Sequence, residues 1–128
     1  MKKLLALITP FLIVAASYAG DAPDITIPEL KAALAAKKVV LLDANGTKSW
    51  QEGHITGAID YKANQDKLAT LLPKDKDSLI VAYCGSPKCK AYKAAVEAAE
   101  KLGYTNIKHL SAGIKGWVKA GEPTDKGS

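Results

Sequence analysis

Two uninterrupted apolar runs mark the centre of the predicted fold. Residues 39–42 and 78–83 are mostly apolar; the first run ends in Asp43, and the second leads directly into Cys84. Runs of this length without polar alternation indicate parallel strands that are covered on both faces. Shorter apolar segments predict two further strands, at residues 58–61 and 107–110.

Helical patterns separate these strands. Thr26 and Glu29 form a capping box with Pro28 in the first turn, which predicts a helix that ends near Lys37. Further helices are predicted for residues 47–52, 64–72, 88–102 and 114–119. Because helices alternate with strands, the chain is predicted to form an α/β domain around a mostly parallel sheet. The tail, residues 124–128, is expected to be frayed.

The amino-terminal residues have the composition of a bacterial-type signal peptide. Two lysines precede an apolar stretch at residues 4–16, and residues 17–19 offer small side chains at the positions that a signal peptidase reads. We therefore expect a signal peptide at residues 1–19, a domain at residues 20–128 with its core at about 24–123, and a periplasmic or secreted protein without a stable membrane span after processing. An uncleaved membrane anchor is the alternative, although the apolar stretch is short for a span.

The charge of the chain disfavours nucleic acid as a partner. Every basic residue is lysine, and removing the two leader lysines leaves 16 lysines against 13 acidic residues, a net charge of +3. The lysines are scattered, and only 6% of the residues are aromatic. Nucleic-acid surfaces usually cluster basic residues on one face, so small anions are the more natural partners.

Cys84 is the candidate nucleophile. Ligands of open α/β sheets bind beyond the carboxyl ends of the strands, which is where this residue lies. The following loop is expected to direct backbone N–H groups and a helix N-terminus at the sulfur. Nearby lysines add positive charge, so the pKa of the thiol is expected to fall below its ordinary value of ~8.5. The predicted substrate-binding residues are Gly85, Ser86, Lys88, Cys89 and Lys90, and Lys93 adds to the positive potential.

The second cysteine, Cys89, follows five residues after Cys84. A disulfide across so short a loop would restrict the unfolded chain little, so the pair indicates redox or sulfur chemistry rather than a stability device. Cys89 is therefore a candidate resolving thiol for an oxidised or persulfidated Cys84. The alternatives are that Cys89 only packs in the first turn of the helix and that Cys84 is a small buried apolar residue.

Three segments, in this order, resemble the motifs of a single-domain rhodanese. The first is Leu41-Leu42-Asp43 followed by Trp50-Gln51-Glu52-Gly53-His54-Ile55-Thr56-Gly57-Ala58, the second is Tyr83-Cys84 with its loop, and the third is Leu110-Ser111-Ala112-Gly113-Ile114-Lys115-Gly116-Trp117 with Ala120-Gly121-Glu122-Pro123. The resemblance extends over about residues 24–123. It is more specific than a cysteine at a strand end alone.

The resemblance implies a five-stranded, mostly parallel sheet with flanking helices. It also implies a sulfurtransferase in which Cys84 takes sulfane sulfur from a donor of the thiosulfate or polysulfide class, holds it as a persulfide and passes it to a thiophilic acceptor such as a small thiol or a thiol protein. His54 and Asp43 belong to structural turns in such proteins, and His109 is expected to be structural or exposed. No cofactor is predicted, and two cysteines with two distant histidines do not form a closed metal site.

The sequence departs from the family pattern at three positions. Asn45 stands where an arginine is frequent, which removes a charge pair near the site, and Ala112 replaces the first of two glycines. Cys89 occupies the place of an arginine in the active-site loop, and this loop is about one residue longer than usual. Longer loops occur in phosphatases and arsenate reductases of this fold, but the chain has no arginine to hold a phosphoryl group in two-point contact.

Two other functions remain compatible with the residues. The first is a non-catalytic carrier or binding module for sulfane sulfur, which shares the persulfide but depends on a protein partner. The second is a thiol–disulfide redox protein that cycles through Cys84 and Cys89. Sulfur uptake separates these possibilities, since the redox protein would lose two thiols without gaining sulfur.

Overall fold

The computed structural model describes residues 21–127. The signal peptide predicted for residues 1–19 lies outside the described residues. The strands are β1 Val39–Asp43, β2 His54–Ile55, β3 Ile59–Asp60, β4 Leu79–Tyr83, β5 Ile107–His109 and β6 Thr124–Asp125. The helices are α1 Ile27–Ala35, α2 Thr47–Glu52, α3 Leu68–Leu71, α4 Tyr92–Lys101 and α5 Gly113–Lys119, with a 3-10 helix at Gln65–Lys67. Within residues 21–127, no helix has the length and apolar character needed to cross a membrane.

The main sheet is parallel and has the order β3-β1-β4-β5. The two long apolar runs became its central strands: β1 and β4 pair over their whole lengths, from Val39 opposite Leu79 to Asp43 opposite Tyr83. Continuous apolar sequence suits this position because both faces of the sheet are covered. The carboxyl end of β4, which Cys84 follows, therefore lies in the middle of one edge of the sheet.

Alternate residues of the central strands supply two separate cores. Leu42 and Ala82 pack in the cluster that contains residues of α3 and α4. Their chain neighbours, Leu41 and Tyr83, pack in the opposite cluster, which contains Trp117 of α5 and a residue of α1. Successive strand residues point to opposite faces, so one short apolar strand contributes to both cores.

The expected fifth strand is reduced to a single bridge. The described main sheet has four strands. At the outer edge of β5, Asp24 makes only an isolated parallel bridge with His109. The segment is too short to form a strand, because Pro23 has no N–H to donate and Thr26 already caps helix α1. The Thr26 hydroxyl accepts a hydrogen bond from the Glu29 amide at 3.3 Å, which confirms Thr26 as the N-cap of α1 and one of the two hydrogen bonds of the predicted capping box.

Two other predictions about the elements were wrong. The helix expected from residue 88 begins only at Tyr92, since residues 86–89 form a turn in which the Cys89 amide donates to the Ser86 carbonyl at 3.0 Å. The tail expected to be frayed pairs instead: β6 runs antiparallel to β2. The Trp117 indole donates to the Pro123 carbonyl at 2.8 Å and thereby fixes the chain just before β6.

Candidate functional site

Cys84 is buried at the carboxyl end of the central strand β4, with 1% of its surface exposed. Its carbonyl accepts a hydrogen bond from the Ile114 amide at 2.9 Å, and the next carbonyl, of Gly85, accepts one from the Lys115 amide at 3.0 Å. These donors belong to the first turn of α5, where helix amides have no partner within the helix. The start of the loop is therefore held by α5 as well as by the sheet.

Gly113 allows this close contact between α5 and the loop. Its backbone has φ of +65°, and a Cβ at this position would lie 2.6 Å from the carbonyl carbon of Gly85 and 2.7 Å from the nitrogen of Ser86. Any larger residue would collide with backbone rather than with a flexible side chain. Gly113 lies within the third of the rhodanese-like motifs, but the sequence alone gives it no role, because its only signal is a glycine at a strand-to-helix turn.

Cys84 and Cys89 are joined by a disulfide, with their Cα atoms 6.1 Å apart. Within the described residues neither cysteine is free. Cys89 therefore forms a bridge to Cys84 and does not only pack in the first turn of a helix. Cys84 is not a free thiolate in this oxidised form, so nucleophilic chemistry at Cys84 requires prior reduction.

The lysines predicted around the site do not contribute equally. Lys88 and Lys90 are exposed on the loop. Lys93 instead pairs with Asp21, with 3.0 Å between the ammonium nitrogen and a carboxylate oxygen. Hydrogen bonding to Asp21 raises the pKa of Lys93. The positive charge closest in sequence to Cys89 therefore comes from Lys88 and Lys90, while the charge of Lys93 is balanced by a carboxylate.

A buried hydrogen-bonded chain supports the strand ends beneath the site. The Tyr83 hydroxyl donates to Asp43 Oδ2 at 2.7 Å and accepts a hydrogen bond from the Ile55 amide at 3.0 Å. Burial raises the pKa of Asp43, an effect that hydrogen bonds from Asn45 and Tyr83 oppose. Burial and the neighbouring carboxylate raise the pKa of Tyr83. Asp43 therefore has a structural role, as predicted. Its hydrogen bond with Tyr83 joins β1 to β4, and the bond between the Tyr83 hydroxyl and Ile55 extends this link to β2.

Asn45 lies between these hydrogen-bonded residues and the loop at residues 85–90 that follows Cys84. Its amide N–H donates to Asp43 Oδ1 at 2.8 Å. Its side-chain oxygen lies 3.5 Å from the position that a Cβ on Gly85 would occupy. Asn45 therefore hydrogen-bonds to Asp43 through its backbone and has a neutral side chain close to Gly85. The sequence showed the substitution but not these contacts.

Both histidines stack on aromatic rings. The ring of His54 lies 3.9 Å from that of Trp50, and its Nδ1 lies 2.7 Å from the Trp50 carbonyl oxygen. The ring of His109 lies 3.4 Å from that of Tyr92, and burial lowers its pKa. Both side chains are buried. These contacts give each histidine a packing role, as expected for His54, whereas His109 is not exposed.

We expect replacement of Tyr83 by Phe to destabilise the domain by about 2–3 kcal/mol. The change removes the hydrogen-bond partner of Asp43 Oδ2 and of the Ile55 amide, while Asp43 Oδ1 keeps the Asn45 amide, and unpaired buried groups are costly. Loss of a donor to the charged form should also raise the pKa of Asp43 further. Denaturant unfolding and NMR titration of Asp43 measure the two effects.

Tyr61 provides the matched control for this change. Its hydroxyl donates to the Ala94 carbonyl at 3.2 Å in an exposed setting, where water can replace it. Tyr61→Phe should therefore cost about 0.5–1 kcal/mol. Equal costs for the two variants would show that the Tyr83 hydroxyl does not support the strand ends.

The sequence matches the rhodanese-like domain family over residues 26–120. The chain belongs to this family, and the parallel sheet with a cysteine at its central carboxyl end is the corresponding fold. The match covers every strand of the main sheet and the whole active-site loop. The family resemblance inferred from the three motifs is therefore confirmed.

Curated relatives include both regulators and sulfurtransferases. The chain is 37% identical over 119 residues to an HTH-type transcriptional regulator from Mycobacterium tuberculosis, with 91% of this chain and 51% of the regulator covered. It is 24% identical to the human thiosulfate:glutathione sulfurtransferase, with 78% of this chain and 96% of that protein covered. The chain thus spans about half the length of the regulator and 28% of a probable adenylyltransferase/sulfurtransferase from the same bacterium.

Solved structures share the fold at low sequence identity. A rhodanese-like domain from Anabaena superposes with a TM-score of 0.65 at 22% identity, covering 83% of this chain and 80% of that one. A human single-domain sulfurtransferase superposes with a TM-score of 0.59 at 23% identity, covering 77% of this chain and 97% of that one. These similarities support the fold, and the activity has to be argued from the site itself.

Proposed function

We propose that the protein is a sulfurtransferase that carries sulfane sulfur on Cys84. The observation that carries the proposal is the position of Cys84 at the carboxyl end of the central strand, beneath a loop that α5 holds in place. This position matches the ligand-binding edge of open parallel sheets. Membership of a family with sulfurtransferase relatives supports the same chemistry.

In the proposed reaction, the reduced Cys84 thiolate attacks the sulfane sulfur of a donor of the thiosulfate or polysulfide class. With thiosulfate, a new sulfur–sulfur bond forms at Cys84 while the bond to the sulfonate group breaks and sulfite leaves with the electron pair. The outer sulfur of the persulfide is then attacked by a thiophilic acceptor, such as cyanide or a thiol, and Cys84 leaves as the thiolate. Each half-reaction is a nucleophilic displacement at sulfur.

The active-site loop has the groups needed to hold an anionic sulfur. In the described part of the chain, the only amide from residues 85–90 that donates to a protein backbone acceptor is that of Cys89. We propose that the amides of Gly85, Ser86, Lys88 and Lys90 hold the donor anion and the persulfide. Preorganised donors of this kind stabilise developing charge, and the exposed Lys88 and Lys90 would attract the anion.

The disulfide specifically favours a second candidate, a thiol–disulfide redox protein that cycles through Cys84 and Cys89. A sulfane-sulfur carrier that needs a protein partner for delivery would use the same Cys84 persulfide as the enzyme.

We also propose that residues 1–19 direct export to the periplasm or beyond. An amino terminus at Gly20 in the exported protein is the test of processing.

Sulfur loading tests the proposed function. The protein is reduced, freed of reductant under anaerobic conditions and incubated with thiosulfate before intact-mass measurement. We expect a gain of ~32 Da in Cys89→Ser, the variant without the second loop thiol, together with release of sulfite. The unreduced wild-type protein should gain nothing, because its Cys84 is already bonded to Cys89. Absence of sulfur uptake from both thiosulfate and polysulfide, with reversible loss of two thiols in the wild type, would instead establish the redox function.

A further inference from the structure

We propose that Cys89 resolves the Cys84 persulfide, so that the protein releases sulfide and is regenerated by a dithiol reductant. The inference rests on the proposed function, since it concerns the fate of the persulfide formed there. It adds a second reacting residue, a product and a class of redox partner. The disulfide is then the product of one turnover and not a bridge whose main role is to stabilise the fold.

The geometry of the loop supports this role for Cys89. The two Cα atoms are 6.1 Å apart, within the range in which two cysteines join without movement of the backbone. The loop returns Cys89 towards the strand end by the turn in which its amide donates to Ser86. At the other side, the carbonyls of Cys84 and Gly85 are held by α5. Both sulfur atoms therefore belong to one fixed loop.

The short spacing argues against a role in stability. A disulfide stabilises mainly by restricting the unfolded chain, and the effect is smaller for a loop closed across five residues than for the longer loops that structural disulfides commonly close. The domain also has two apolar clusters, one on each face of its main sheet. The bridge lies at the carboxyl end of the central strand, where the chemistry is expected. A short-loop disulfide at this position is therefore better explained by reaction than by stabilisation alone.

The resolving step is balanced as a displacement at sulfur. The Cys89 thiolate attacks the inner sulfur of the Cys84 persulfide, a bond forms between the two cysteine sulfurs, and the outer sulfur leaves as hydrosulfide with the electron pair. The sulfane sulfur is reduced to sulfide while the two cysteine thiols are oxidised to the disulfide. Because Cys84 cannot carry a persulfide and a disulfide together, the oxidised protein accepts no further sulfur until it is reduced.

The burial of the two cysteines indicates how reduction proceeds. Cys84 is 1% exposed, whereas Cys89 is only partly buried and stands between the exposed Lys88 and Lys90. An incoming thiolate therefore reaches the Cys89 sulfur first, and Cys84 leaves as the thiolate. The second thiol of the reductant then attacks the reductant's own sulfur in the mixed disulfide, Cys89 leaves as the thiolate, and the reductant departs as an internal disulfide. Reduction by this route frees the nucleophile in its reactive form.

A single-turnover experiment without any external thiol tests the proposal. Reduced wild-type protein, Cys89→Ser and Cys84→Ser are each mixed anaerobically with thiosulfate; sulfite, sulfide and intact mass are then measured. Wild-type protein incubated without thiosulfate controls for adventitious oxidation. In wild-type protein we expect one sulfite and one sulfide per chain and a mass about 2 Da below the dithiol form, from the lost thiol hydrogens. Cys89→Ser should release sulfite, release no sulfide and stay ~32 Da heavier.

The outcomes distinguish the two proposals. If wild-type protein holds a persulfide as stably as Cys89→Ser and releases no sulfide, Cys89 does not resolve it, while the proposed sulfur loading stands. If neither protein releases sulfite or gains mass, the sulfurtransferase function fails and the resolving step fails with it. Sulfide released by Cys84→Ser would also overturn the proposal, because that variant has no thiol at position 84 to load.

Discussion

Replacement of Cys84 by Ala is expected to abolish sulfur transfer. The variant should show no gain of ~32 Da with thiosulfate, and its turnover should fall at least ~1,000-fold, as expected when a covalent nucleophile is removed. The cause is chemical: in the proposed reaction Cys84 alone takes up the sulfur, and Cys89, the other cysteine of the loop, attacks only after the persulfide has formed. Intact-mass spectrometry and sulfite release measure loading directly.

Cys89→Ala is the matched control for Cys84→Ala. Both variants lack the disulfide and lose one sulfur atom, so a difference between them cannot come from the missing bridge. Cys89→Ala should still take up one sulfur. If Cys84→Ala took up sulfur on Cys89, the nucleophile would be Cys89 and not Cys84. Circular dichroism of both variants checks that the buried position 84 accepts alanine.

Gly113→Ala is expected to displace the active-site loop. A Cβ at this position would lie 2.6 Å from the carbonyl carbon of Gly85, so helix α5 or the loop must move. The positive φ adds strain of about 1–2 kcal/mol for an L-residue, and the collision adds a further ~1–3 kcal/mol. We expect a total loss of roughly 2–5 kcal/mol in the free energy of unfolding, and at least tenfold slower sulfur loading, since small misplacements of reacting groups are costly.

Gly121→Ala separates strain from collision. Gly121 also has a positive φ, of +79°, but nothing lies within 4 Å of the position of its Cβ. This variant should lose only about 1–2 kcal/mol and should load sulfur at the wild-type rate. Denaturant unfolding and single-turnover loading are measured for both variants. Equal destabilisation with normal loading in Gly113→Ala would show that its contact with Gly85 does not position the loop.

The absence of arginine gives the site a different character from one that binds phosphate. Asn45 makes neutral contacts with Asp43 and lies near Gly85. The remaining positive charge on the loop comes from lysines, which act as point charges rather than as planar forks. Such a site suits a small sulfur anion or persulfide better than a phosphoryl group that needs two-point contact.

The sequence predicted the fold correctly where the local apolar pattern agrees with the burial of the same residues in the structure. The apolar runs of β1 and β4 indicated strands covered on both faces, and Thr26 with Glu29 indicated the start of α1. The sulfur at position 84 could be placed at a strand end for the same reason. These features depend on residues close together in the chain, so their periodicity and capping chemistry are visible without the tertiary structure.

Other features depended on contacts between distant segments. The pairing of β6 with β2 joins residues about seventy positions apart, and neither two-residue strand has a detectable pattern. The start of α4 was misplaced because the turn at residues 86–89 and the disulfide override helical spacing there. The described main sheet has four strands and not the five that the family resemblance implies, and the segment between Pro23 and the cap at Thr26 adds only one bridge to it.

The sequence by itself determined that Cys84 follows a buried strand and that Cys89 lies five residues away. The tertiary structure decided that the two sulfur atoms are bonded and that α5 holds the loop through Gly113. It also decided that Asp43, Tyr83 and Asn45 support the site from beneath. The physical reason is that a strand end is set by local apolar pattern, whereas the surroundings of a sulfur atom are set by backbone packing between segments that the sequence does not place side by side.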